Sequence, residues 1–244
     1  MIKKNLLITG GSKGLGKEIK NYYKNKNFNI VNISRTKLKN SNNLLNIKND
    51  LTNLKNTIKN FKDIKKKFKT IDAIICCTGS GEKISNKQLD NNVIQHYLNI
   101  NLFTVINTIN SYLKVFKNKK TNIIVISSIA SKKIINAPIG YSISKRALDY
   151  FVKIFAKEYS NSKIKINLIS PGNIFIDGNN WHKKLKRDNK KVKQYINREV
   201  PLKSFILPKE IISIIDLLIS EKNTNITGSD FIIDGGQSIW RINI

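Results

Sequence analysis

The sequence predicts one α/β domain, built on a doubly wound sheet of about seven parallel strands with helices on both faces. Its 244 residues can bury one large core, and a single α/β domain of this length is commoner than two half-sized domains. Short β-branched runs alternate with longer amphipathic stretches from end to end, which is typical of a parallel sheet covered by helices. No internal repeat or low-complexity linker interrupts them. We therefore expect residues 1–244 to form a single domain.

The predicted elements follow one another along the chain. Short apolar runs bounded by polar or turn-forming residues predict strands at residues 5–9, 29–34, 44–48, 73–77, 122–127, 165–169 and 231–233. Apolar residues at helical spacing fill the intervals between them, most clearly at residues 14–26, 54–68, 91–116, 141–159 and 208–219. All seven strands are expected in one sheet.

The segment 173–204 departs from this alternation. It is long, polar and basic, and it carries Phe175, Trp181 and Tyr195 but little strand character. Long irregular segments in compact domains are often lids. We expect this segment to be irregular and to form a substrate lid.

The net charge of +28 is compatible with a polyanionic partner such as nucleic acid, anionic lipid or an acidic carrier protein. However, five of the 44 basic residues are Arg and the rest are Lys, which is the poorer choice for bidentate recognition of bases. Near residues 62–69, the lysines alternate with Phe61, Ile64 and Phe68 at helical spacing. The apolar stripe therefore faces the core and the lysines face water. We favour a solvated surface over a nucleic-acid partner.

The two cysteines, Cys76 and Cys77, are adjacent, and the chain has no spaced Cys/His set for zinc or for a disulfide framework. We therefore expect no metal and a reducing, cytoplasmic setting. The first apolar run ends at Gly10, too short for a signal peptide, and no later run is long enough to span a membrane. The first residues are better interpreted as a strand.

A glycine-rich turn follows the first predicted strand. Its sequence is Thr9-Gly10-Gly11-Ser12-Lys13-Gly14-Leu15-Gly16, and a helical pattern begins at once. Glycine lets the backbone approach a pyrophosphate, and the free N–H groups and dipole of the helix start favour negative charge. A glycine-rich turn alone is a weak signal. Its place after the first strand, with a second strand about 20 residues on, indicates a dinucleotide site.

The end of the second strand indicates which dinucleotide is bound. An acidic residue there would accept from the ribose 2′-hydroxyl and reject a 2′-phosphate, but this strand ends at Ser34-Arg35. Arg35 offers a planar cation to a phosphate, and Lys13 adds a second charge. We therefore expect NADP(H) to be preferred, with NAD(H) as the alternative. Asp50, after the third strand, could accept from the adenine amino group or cap the helix that starts near Thr52.

A serine, a tyrosine and a lysine form the candidate catalytic group. The fifth strand ends at Ser127-Ser128, and Tyr141 and Lys145 follow at the head of a long helix. Residues four apart share a helix face, and an ammonium about 5 Å away is expected to lower the phenol's pKa, ordinarily about 10, by about two units. Ser128 can donate to a substrate oxygen as negative charge builds on it. We therefore expect Tyr141 to act as acid and base.

In this context the sequence resembles the short-chain dehydrogenase/reductase family over nearly its whole length. The matching motifs are Thr9-Gly10-xxx-Gly14-x-Gly16, Asn101 in Leu98-Asn99-Ile100-Asn101-Leu102, Ser128, Tyr141-xxx-Lys145, Pro171-Gly172 and Asp234-Gly235-Gly236. The resemblance implies a Rossmann-type fold and a tetrad of Asn101, Ser128, Tyr141 and Lys145. It also implies that the Asn holds a water in a proton relay, that the Lys binds the nicotinamide ribose, and that Pro-Gly lies beside the nicotinamide. Further implied cofactor contacts are Ser12, Leu15, Leu51, Thr78, Gly79 and Ile174.

The chain departs from that family in two places. Cys76-Cys77-Thr78-Gly79 stands where Asn-Asn-Ala-Gly is usual, and a thiol cannot replace a side-chain amide in bridging strands. Adjacent cysteines at a strand end are more often buried hydrophobes than nucleophiles. Ile176 stands nearest the place where the family often has a Thr that touches the cofactor. Of the two histidines, His96 is expected to serve in packing or at an interface, whereas His182 in the lid is a candidate substrate contact.

The expected reaction is reversible hydride transfer between the nicotinamide and a carbonyl or secondary alcohol. The pattern is similar to 3-oxoacyl-carrier-protein reductases, whose acidic carrier would suit a basic surface. The stretches 171–174 and 199–202, with Trp181 between them, also look like reductases of bacterial surface-sugar biosynthesis. A non-catalytic NADP(H) sensor or a nucleic-acid-binding protein are alternatives of other classes. The resemblance further implies a homotetramer or homodimer, with interfaces on the helices around Asn101 and Tyr150.

Overall fold

The computed structural model describes residues 3–117 and 120–239. Within these ranges the seven strands are β1 (Lys4–Thr9), β2 (Phe28–Ser34), β3 (Leu44–Lys48), β4 (Ala73–Cys76), β5 (Thr121–Ile126), β6 (Ile164–Pro171) and β7 (Asp230–Ile233). They form one sheet in the order β3-β2-β1-β4-β5-β6-β7, and every neighbouring pair is parallel. The predicted α/β sheet of seven parallel strands is confirmed.

Eight α-helices are found in the described ranges: α1 (Gly14–Lys24), α2 (Leu54–Lys67), α3 (Asn91–Leu98), α4 (Thr104–Phe116), α5 (Ile139–Glu158), α6 (Asn180–Arg187), α7 (Asn189–Glu199) and α8 (Pro208–Ile219). A π-helical turn, Asn99–Phe103, joins α3 to α4, and a 3₁₀ turn, Ile129–Ser131, precedes α5. None of these helices is both long enough and apolar enough to cross a bilayer.

The helices cover both faces of the sheet with two separate apolar layers. On one face, side chains of α2, α4 and α5 pack against the sheet around Phe61, Phe116 and Leu148. On the other face, α1 and α8 contribute Ile19 and Ile215. Phe61 is fully buried and meets Phe116 edge to face at 6.5 Å between ring centroids. Burial of one such side chain contributes about 1.5–3 kcal/mol, so these layers hold the helices firmly against the strands.

The predicted continuous helix over residues 91–116 is wrong in one detail. The chain keeps one helical course there, but the π-helical turn Asn99–Phe103 interrupts the regular hydrogen bonding between α3 and α4. A π-helical turn accommodates one extra residue and is frequent at functional sites. Asn101 lies within this turn.

The expectation of an irregular segment at 173–204 is also wrong, because α6 and α7 occupy most of it. The side chains of Asn179 and Asp188 cap the two helix starts by accepting from the amides of His182 and Lys191. Val192 and Ile196 of α7 are buried in a small apolar cluster that also includes Val200, Trp181, Leu185, Tyr195 and Phe205. In the sequence, the apolar residues of α6 and α7 are few and are separated by many lysines, so their helical spacing is hard to recognise.

The parallel topology brings the carboxyl ends of all the strands to one edge of the sheet. Ligands bind in open α/β sheets at this edge, where the strand order reverses. Here β1 is followed spatially by β2 on one side and β4 on the other, so the loop after β1 lies at the reversal. The predicted site residues lie in the loops and helix starts at this edge.

Candidate active site

The glycine-rich turn after β1 has the geometry of an anion site. Gly10 and Gly14 have φ values of +75° and +55°, in the left-handed region that side chains disfavour. A Cβ on Gly16 would lie 2.6 Å from the Gly10 carbonyl oxygen, so only glycine fits there. α1 begins at Gly14, and the side chain of its N-cap residue, Lys13, makes no capping hydrogen bond. The first amides of α1 are therefore available to a phosphate.

Asn32 of β2 supports this turn, although sequence reasoning did not single it out. Its Oδ1 accepts from the amide of Gly11 at 3.0 Å, and its Nδ2 donates to Oδ1 of Asn46 at 2.8 Å. A Cβ on Gly11 would lie only 2.4 Å from the same Oδ1. The available sequence signal was a polar residue between apolar neighbours, Val31 and Ile33, in a predicted strand.

The residues predicted to select the cofactor lie in three different environments. Arg35 directly follows β2 and, like Lys13, has an exposed side chain. Asp50 accepts from both the amide and the hydroxyl of Thr52, at 3.0 and 2.8 Å. It therefore fastens the turn before α2, whose N-cap is Asn53. Leu51 is a core side chain with 3% exposure, so only its backbone can face a ligand.

The loop after β4 passes directly beside the candidate catalytic residues. Gly79 has φ +156°, and a Cβ there would lie 2.6 Å from Asn101 Oδ1 and 3.4 Å from Lys145 Nζ. A Cβ on Gly81 would lie 3.2–3.3 Å from the ring of Tyr141. The neighbouring hydroxyl Oγ1 of Thr78 is buried and has no hydrogen-bond partner among the described residues. Sequence reasoning missed Gly81, because no motif marks it.

Asn101 anchors this loop to the π-helical turn. Its side chain is fully buried. Oδ1 accepts from the amide of Ser80 at 3.0 Å, and Nδ2 donates to the carbonyl oxygens of Ser80 and Tyr97 at 3.2 and 3.1 Å. An amide oxygen has two lone pairs, so one acceptor position remains for a further donor.

Ser128, Tyr141 and Lys145 come together as expected. The Ser128 hydroxyl lies close enough to the Tyr141 phenol to act on its pKa. Lys145 Nζ lies 5.9 Å from the centroid of the Tyr141 ring and donates to the carbonyl oxygen of Ile126 at 2.9 Å. Lys145 is 4% exposed. The ammonium is thus held between the end of β5 and the phenol.

The electrostatics differ from the sequence-based expectation. Burial raises the pKa of Tyr141, a change that the nearby Ser128 hydroxyl opposes, so the expected lowering of this pKa by Lys145 is not found. Burial also lowers the pKa of Lys145 to about 8, against the opposing influence of Asp149. Desolvation disfavours the charged form of each group. At neutral pH, Tyr141 therefore holds its proton and is suited to donate it.

The end of β6 forms the opposite wall of the site. Pro171 is its last residue, and the amide of Gly172 donates to the carbonyl oxygen of Ile233 at 2.9 Å. A Cβ on Gly172 would lie 3.0 Å from Asp234, which explains the glycine. Ile174 pairs with Ile206 in a single parallel bridge. Hydrogen bonds from the Leu202 amide to the Gly235 carbonyl oxygen, at 3.1 Å, and from Gln237 Nε2 to Tyr195 Oη, at 3.3 Å, also join the segment that carries α6 and α7 to the body.

Comparisons with known proteins agree with this geometry. Residues 19–238 match a family model described as enoyl-(acyl carrier protein) reductase. The chain is 30% identical over 249 residues to the 3-oxoacyl-[acyl-carrier-protein] reductase of Buchnera aphidicola subsp. Schizaphis graminum, which covers 96% of this chain and 97% of that protein. The chain belongs to the short-chain dehydrogenase/reductase family. Matches to other curated relatives, including two glucose 1-dehydrogenases, span about half the length of those proteins.

Solved structures of short-chain dehydrogenases also superpose closely on the chain. A short chain dehydrogenase family protein from Francisella tularensis subsp. tularensis SCHU S4 has a TM-score of 0.83 at 28% identity, covering 97% of this chain and 99% of that one. The structure of ElxO with NADP bound has a TM-score of 0.86 at 26% identity, covering 96% and 98%.

This member of the short-chain dehydrogenase/reductase family presents groups that fit a bound dinucleotide. The uncapped start of α1 offers amides to a pyrophosphate. The narrow space beside Gly79 lies next to Asn101 and Lys145, where a ribose and nicotinamide would come close to Tyr141, and the unpartnered hydroxyl of Thr78 directly precedes Gly79 in the chain. An unsatisfied buried hydroxyl is costly, and a polar ligand would satisfy it.

The two cysteines behave as packing residues within this fold. Cys76 is fully buried in β4, and Cys77 packs with the apolar layer of α1 and α8. Burial raises the pKa of the Cys77 thiol to about 12 and raises that of Cys76 as well. The amide of Cys77 donates to Thr9 Oγ1 at 3.2 Å. A hydrogen bond from this backbone amide to a side-chain hydroxyl thus joins the strand ends where the family usually has an amide side chain.

The histidines are placed outside the candidate catalytic group. His182 Nδ1 accepts from the amide of Gly178 at 2.7 Å, and its ring packs against Phe175 at 5.7 Å between centroids. It therefore stabilises the start of α6, and a contact with substrate stays a prediction. His96 is exposed on α3, with its ring against Tyr97. In the described part of the chain, no three His, Cys, Asp or Glu side chains group as metal ligands would.

Proposed function

We propose that this short-chain oxidoreductase uses NADP(H) to interconvert a carbonyl and a secondary alcohol, with Asn101, Ser128, Tyr141 and Lys145 as its catalytic residues. The observation that carries the proposal is the convergence of the Ser128, Tyr141 and Lys145 side chains at the carboxyl edge of the sheet, with Lys145 Nζ 5.9 Å from the centroid of the Tyr141 ring. Two hydroxyls that converge in this way are suited to bind one substrate oxygen.

When bound, the nicotinamide supplies or accepts the hydride. During reduction, Tyr141 Oη donates its proton to the substrate oxygen, and Ser128 Oγ donates a hydrogen bond to the same oxygen. The ammonium of Lys145, 5.9 Å from the ring centroid, offers a positive charge to the phenolate that remains. Asn101 keeps the 79–81 loop against the phenol and holds a water that returns the proton.

The preference for NADP(H) rests on charge at the end of β2. Arg35 is exposed there, Lys13 is exposed in the glycine-rich turn, and no acidic residue stands at the β2 end to reject a 2′-phosphate. The related ElxO structure holds NADP, which supports the same choice. NAD(H) is the alternative.

The substrate class is proposed to be a 3-oxoacyl thioester on an acidic carrier protein. The full-length similarity to a 3-oxoacyl-carrier-protein reductase and the net charge of +28 support it, because a basic surface attracts an acidic carrier. A sugar intermediate of surface polysaccharide synthesis is the second candidate, and the partial similarity to glucose 1-dehydrogenases favours it. The free thiols support a reducing, cytoplasmic setting.

A substrate panel tests both parts of the proposal. Oxidation of NADPH and NADH is followed with a 3-oxoacyl thioester, the matching enoyl thioester, sugar-derived ketones and simple ketones. We expect turnover of a carbonyl compound with NADPH and none of the enoyl thioester. Turnover of the enoyl thioester alone would contradict carbonyl chemistry, and a strong preference for NADH would contradict the cofactor assignment.

The variant Tyr141→Phe tests the proton donor. Loss of the hydroxyl removes the proton that the substrate oxygen receives, so we expect kcat to fall by a factor of about 10² to 10⁴, while NADPH binding, measured by fluorescence, stays unchanged. Tyr150→Phe, on the exposed face of the same helix, is the matched control. Full activity of Tyr141→Phe would refute the assignment.

A further inference from the structure

A buried carboxylate lies behind the catalytic hydroxyls. Asp149 follows Tyr141 and Lys145 at spacings of eight and four residues on α5, so the three lie along one face of the helix. It is 4% exposed. Its carboxylate accepts from the hydroxyl of Ser127, from Ser131 Oγ at 2.5 Å and from Lys132 Nζ at 2.6 Å. None of the functions proposed above uses this residue.

The serine partners of Asp149 flank the catalytic Ser128. Ser127 directly precedes it, and Ser131 donates to the Ser128 carbonyl oxygen from both its hydroxyl, at 2.7 Å, and its amide, at 3.1 Å. A serine hydroxyl has a single proton, which is here shared between Asp149 and Ser128. Both ends of the turn that carries Ser128 are therefore fastened to one carboxylate on α5.

Lys132 balances the charge of this carboxylate. Its ammonium lies 2.6 Å from Asp149 and 2.6 Å from Asp230 on β7, with 17% of its side chain exposed. Ser170 Oγ accepts from Lys132 at 2.9 Å and donates to Asp230 at 2.6 Å. The cluster thus links β6, β7 and α5 to the turn. Asp230 contacts Lys132 but neither Ser127 nor Ser131 in the described hydrogen bonds.

We propose that Asp149, balanced by Lys132, is a positioning residue that holds the Ser128 hydroxyl against Tyr141 and sets the field in which Tyr141 exchanges its proton. This proposal rests on the proposed function, in which Ser128 and Tyr141 bind the substrate oxygen, and it adds the residue that holds Ser128 in place. A buried ion pair contributes little net stability compared with apolar replacements of similar volume. The pair of Asp149 and Lys132 lies under the turn that carries Ser128, so positioning of Ser128 accounts for it better than stability does.

The charged groups around Asp149 determine the direction in which it shifts the pKa of Tyr141. On α5 itself they are Tyr141, Lys145 and Arg146, whose guanidinium donates to the Ser131 carbonyl oxygen at 3.5 Å. From the turn after β5 comes Lys132. Asp230 of β7 stands beyond Lys132, and the Cys77 thiol at the end of β4 faces Lys145 and keeps its proton. The negative charge of Asp149 raises the pKa of both Tyr141 and Lys145. Loss of Lys132 leaves that charge uncompensated, so the pKa of Tyr141 rises further.

The first experiment compares Asp149→Asn with Asp230→Asn. Both substitutions are isosteric, and each removes one carboxylate that pairs with Lys132. The two variants therefore lose the same negative charge. Only the first releases the Ser128 turn. We expect kcat to fall about tenfold or more in Asp149→Asn, with little change in the KM for NADPH, and to fall less than about threefold in Asp230→Asn. Equal losses in the two variants would overturn the proposal.

The second experiment measures Tyr141 directly and needs no substrate. In protein labelled with ¹³C at tyrosine Cζ, the resonance of Tyr141 is identified by its absence in Tyr141→Phe. We expect its titration midpoint to rise by about one pH unit in Lys132→Gln. The rise should vanish in Lys132→Gln/Asp149→Asn and persist in Lys132→Gln/Asp230→Asn. An unmoved midpoint in Lys132→Gln would overturn the proposal.

Two further arms separate the possible failures. Where Asp149→Asn does not fold, Ser131→Ala removes one link to the turn and leaves both ion pairs in place, and the same loss of kcat is expected to a smaller degree. Unchanged kcat in Ser131→Ala would then count against the proposal. A wild-type protein that turns over no carbonyl compound contradicts the proposed function, whereas the titration of Tyr141 still decides the role of Asp149.

Discussion

Lys145 places a buried charge in the candidate catalytic group, and burial of this charge lowers the free energy of unfolding. Burial lowers its pKa from the ordinary 10.5 to about 8. Below pH 8 the folded protein holds a charged, desolvated ammonium, and the full penalty applies. As pH rises from 8 to 10.5 the folded state loses this proton before the unfolded state does. The unfolded state then binds more protons, so the free energy of unfolding rises with pH across this window.

Lys145→Met therefore stabilises the protein most at neutral pH. The gain over wild type should shrink by about 2–3 kcal/mol between pH 7 and pH 10, since 2.5 pKa units correspond to about 3 kcal/mol. Urea unfolding at both pH values measures this difference. Lys153→Met, exposed on the same helix, is the control and should show no such change. A constant difference between Lys145→Met and wild type would mean that the buried charge carries no penalty.

The proposed preference for NADP(H) makes Arg35 the residue that selects the dinucleotide. Arg35→Ala removes the planar cation offered to a 2′-phosphate, so NADPH affinity should fall about tenfold, or about 1.4 kcal/mol, while NADH affinity stays within about twofold. Fluorescence titration with both dinucleotides measures this. Lys37→Ala, an exposed cation two residues on, is the control. An equal loss for NADPH and NADH would show that Arg35 does not read the phosphate.

At the scale of single elements, α6 and α7 form a unit with its own apolar cluster. The cluster around Val192 and Ile196 is separate from the two sheet layers. The segment meets the body at the pairing of Ile174 with Ile206 and at the hydrogen bonds of Tyr195 and Leu202 with residues 235–237. A small separate cluster opens at lower free energy than a main core. This arrangement suits a substrate lid, the role predicted for residues 173–204.

The variants Ile196→Ala and Ile215→Ala distinguish the lid from the body. Both side chains are buried, but Ile215 belongs to the layer of α1 and α8. Ile215→Ala should lower the free energy of global unfolding by about 2–5 kcal/mol. Ile196→Ala should lower it less and instead raise the substrate KM, because the lid closes less often. Hydrogen exchange should localise its effect to α6 and α7. Equal global destabilisation would mean that the two units unfold together.

The same elements show where sequence reasoning stops. Strand positions were predictable because runs of β-branched residues must be buried on both faces of a parallel sheet. The π-helical turn that places Asn101 was not, since one extra residue leaves no compositional trace. Gly81 and Asn32 were missed because their roles depend on what approaches them, the Tyr141 ring and the Gly11 amide. The lowered pKa of Lys145 likewise depends on burial, which spacing along a helix does not reveal.

At the scale of the whole molecule, α5 presents an apolar face to solvent. Ile139, Ile143, Tyr150 and Ile154 lie on one side of the helix and are 42–67% exposed. Exposed apolar residues in such a row commonly mark an interface, and a stable interface buries about 800 Å² per partner. This face supports the proposed homotetramer or homodimer, with contacts around Tyr150.

Charges on this face should therefore dissociate the assembly. Tyr150→Glu/Ile154→Glu is expected to reduce the sedimenting species to a monomer, because unpaired charges cannot be buried at an interface without a large cost. Leu217→Glu, on the exposed side of α8, removes an equally exposed apolar residue elsewhere and should leave the assembly intact. A wild-type monomer would remove the proposal of an oligomer.

The position of Cys77 allows the opening of the glycine-rich turn after β1 to be followed chemically. Its Cβ would stand 3.3 Å from a Cβ on Gly16, so the thiol is packed beneath the phosphate turn, and a pKa of about 12 keeps it protonated. Only a thiolate attacks disulfide reagents. A disulfide reagent can therefore modify Cys77 only when the glycine-rich turn moves away from it. The modification rate measures how often the turn opens, and a bound dinucleotide would lower that rate.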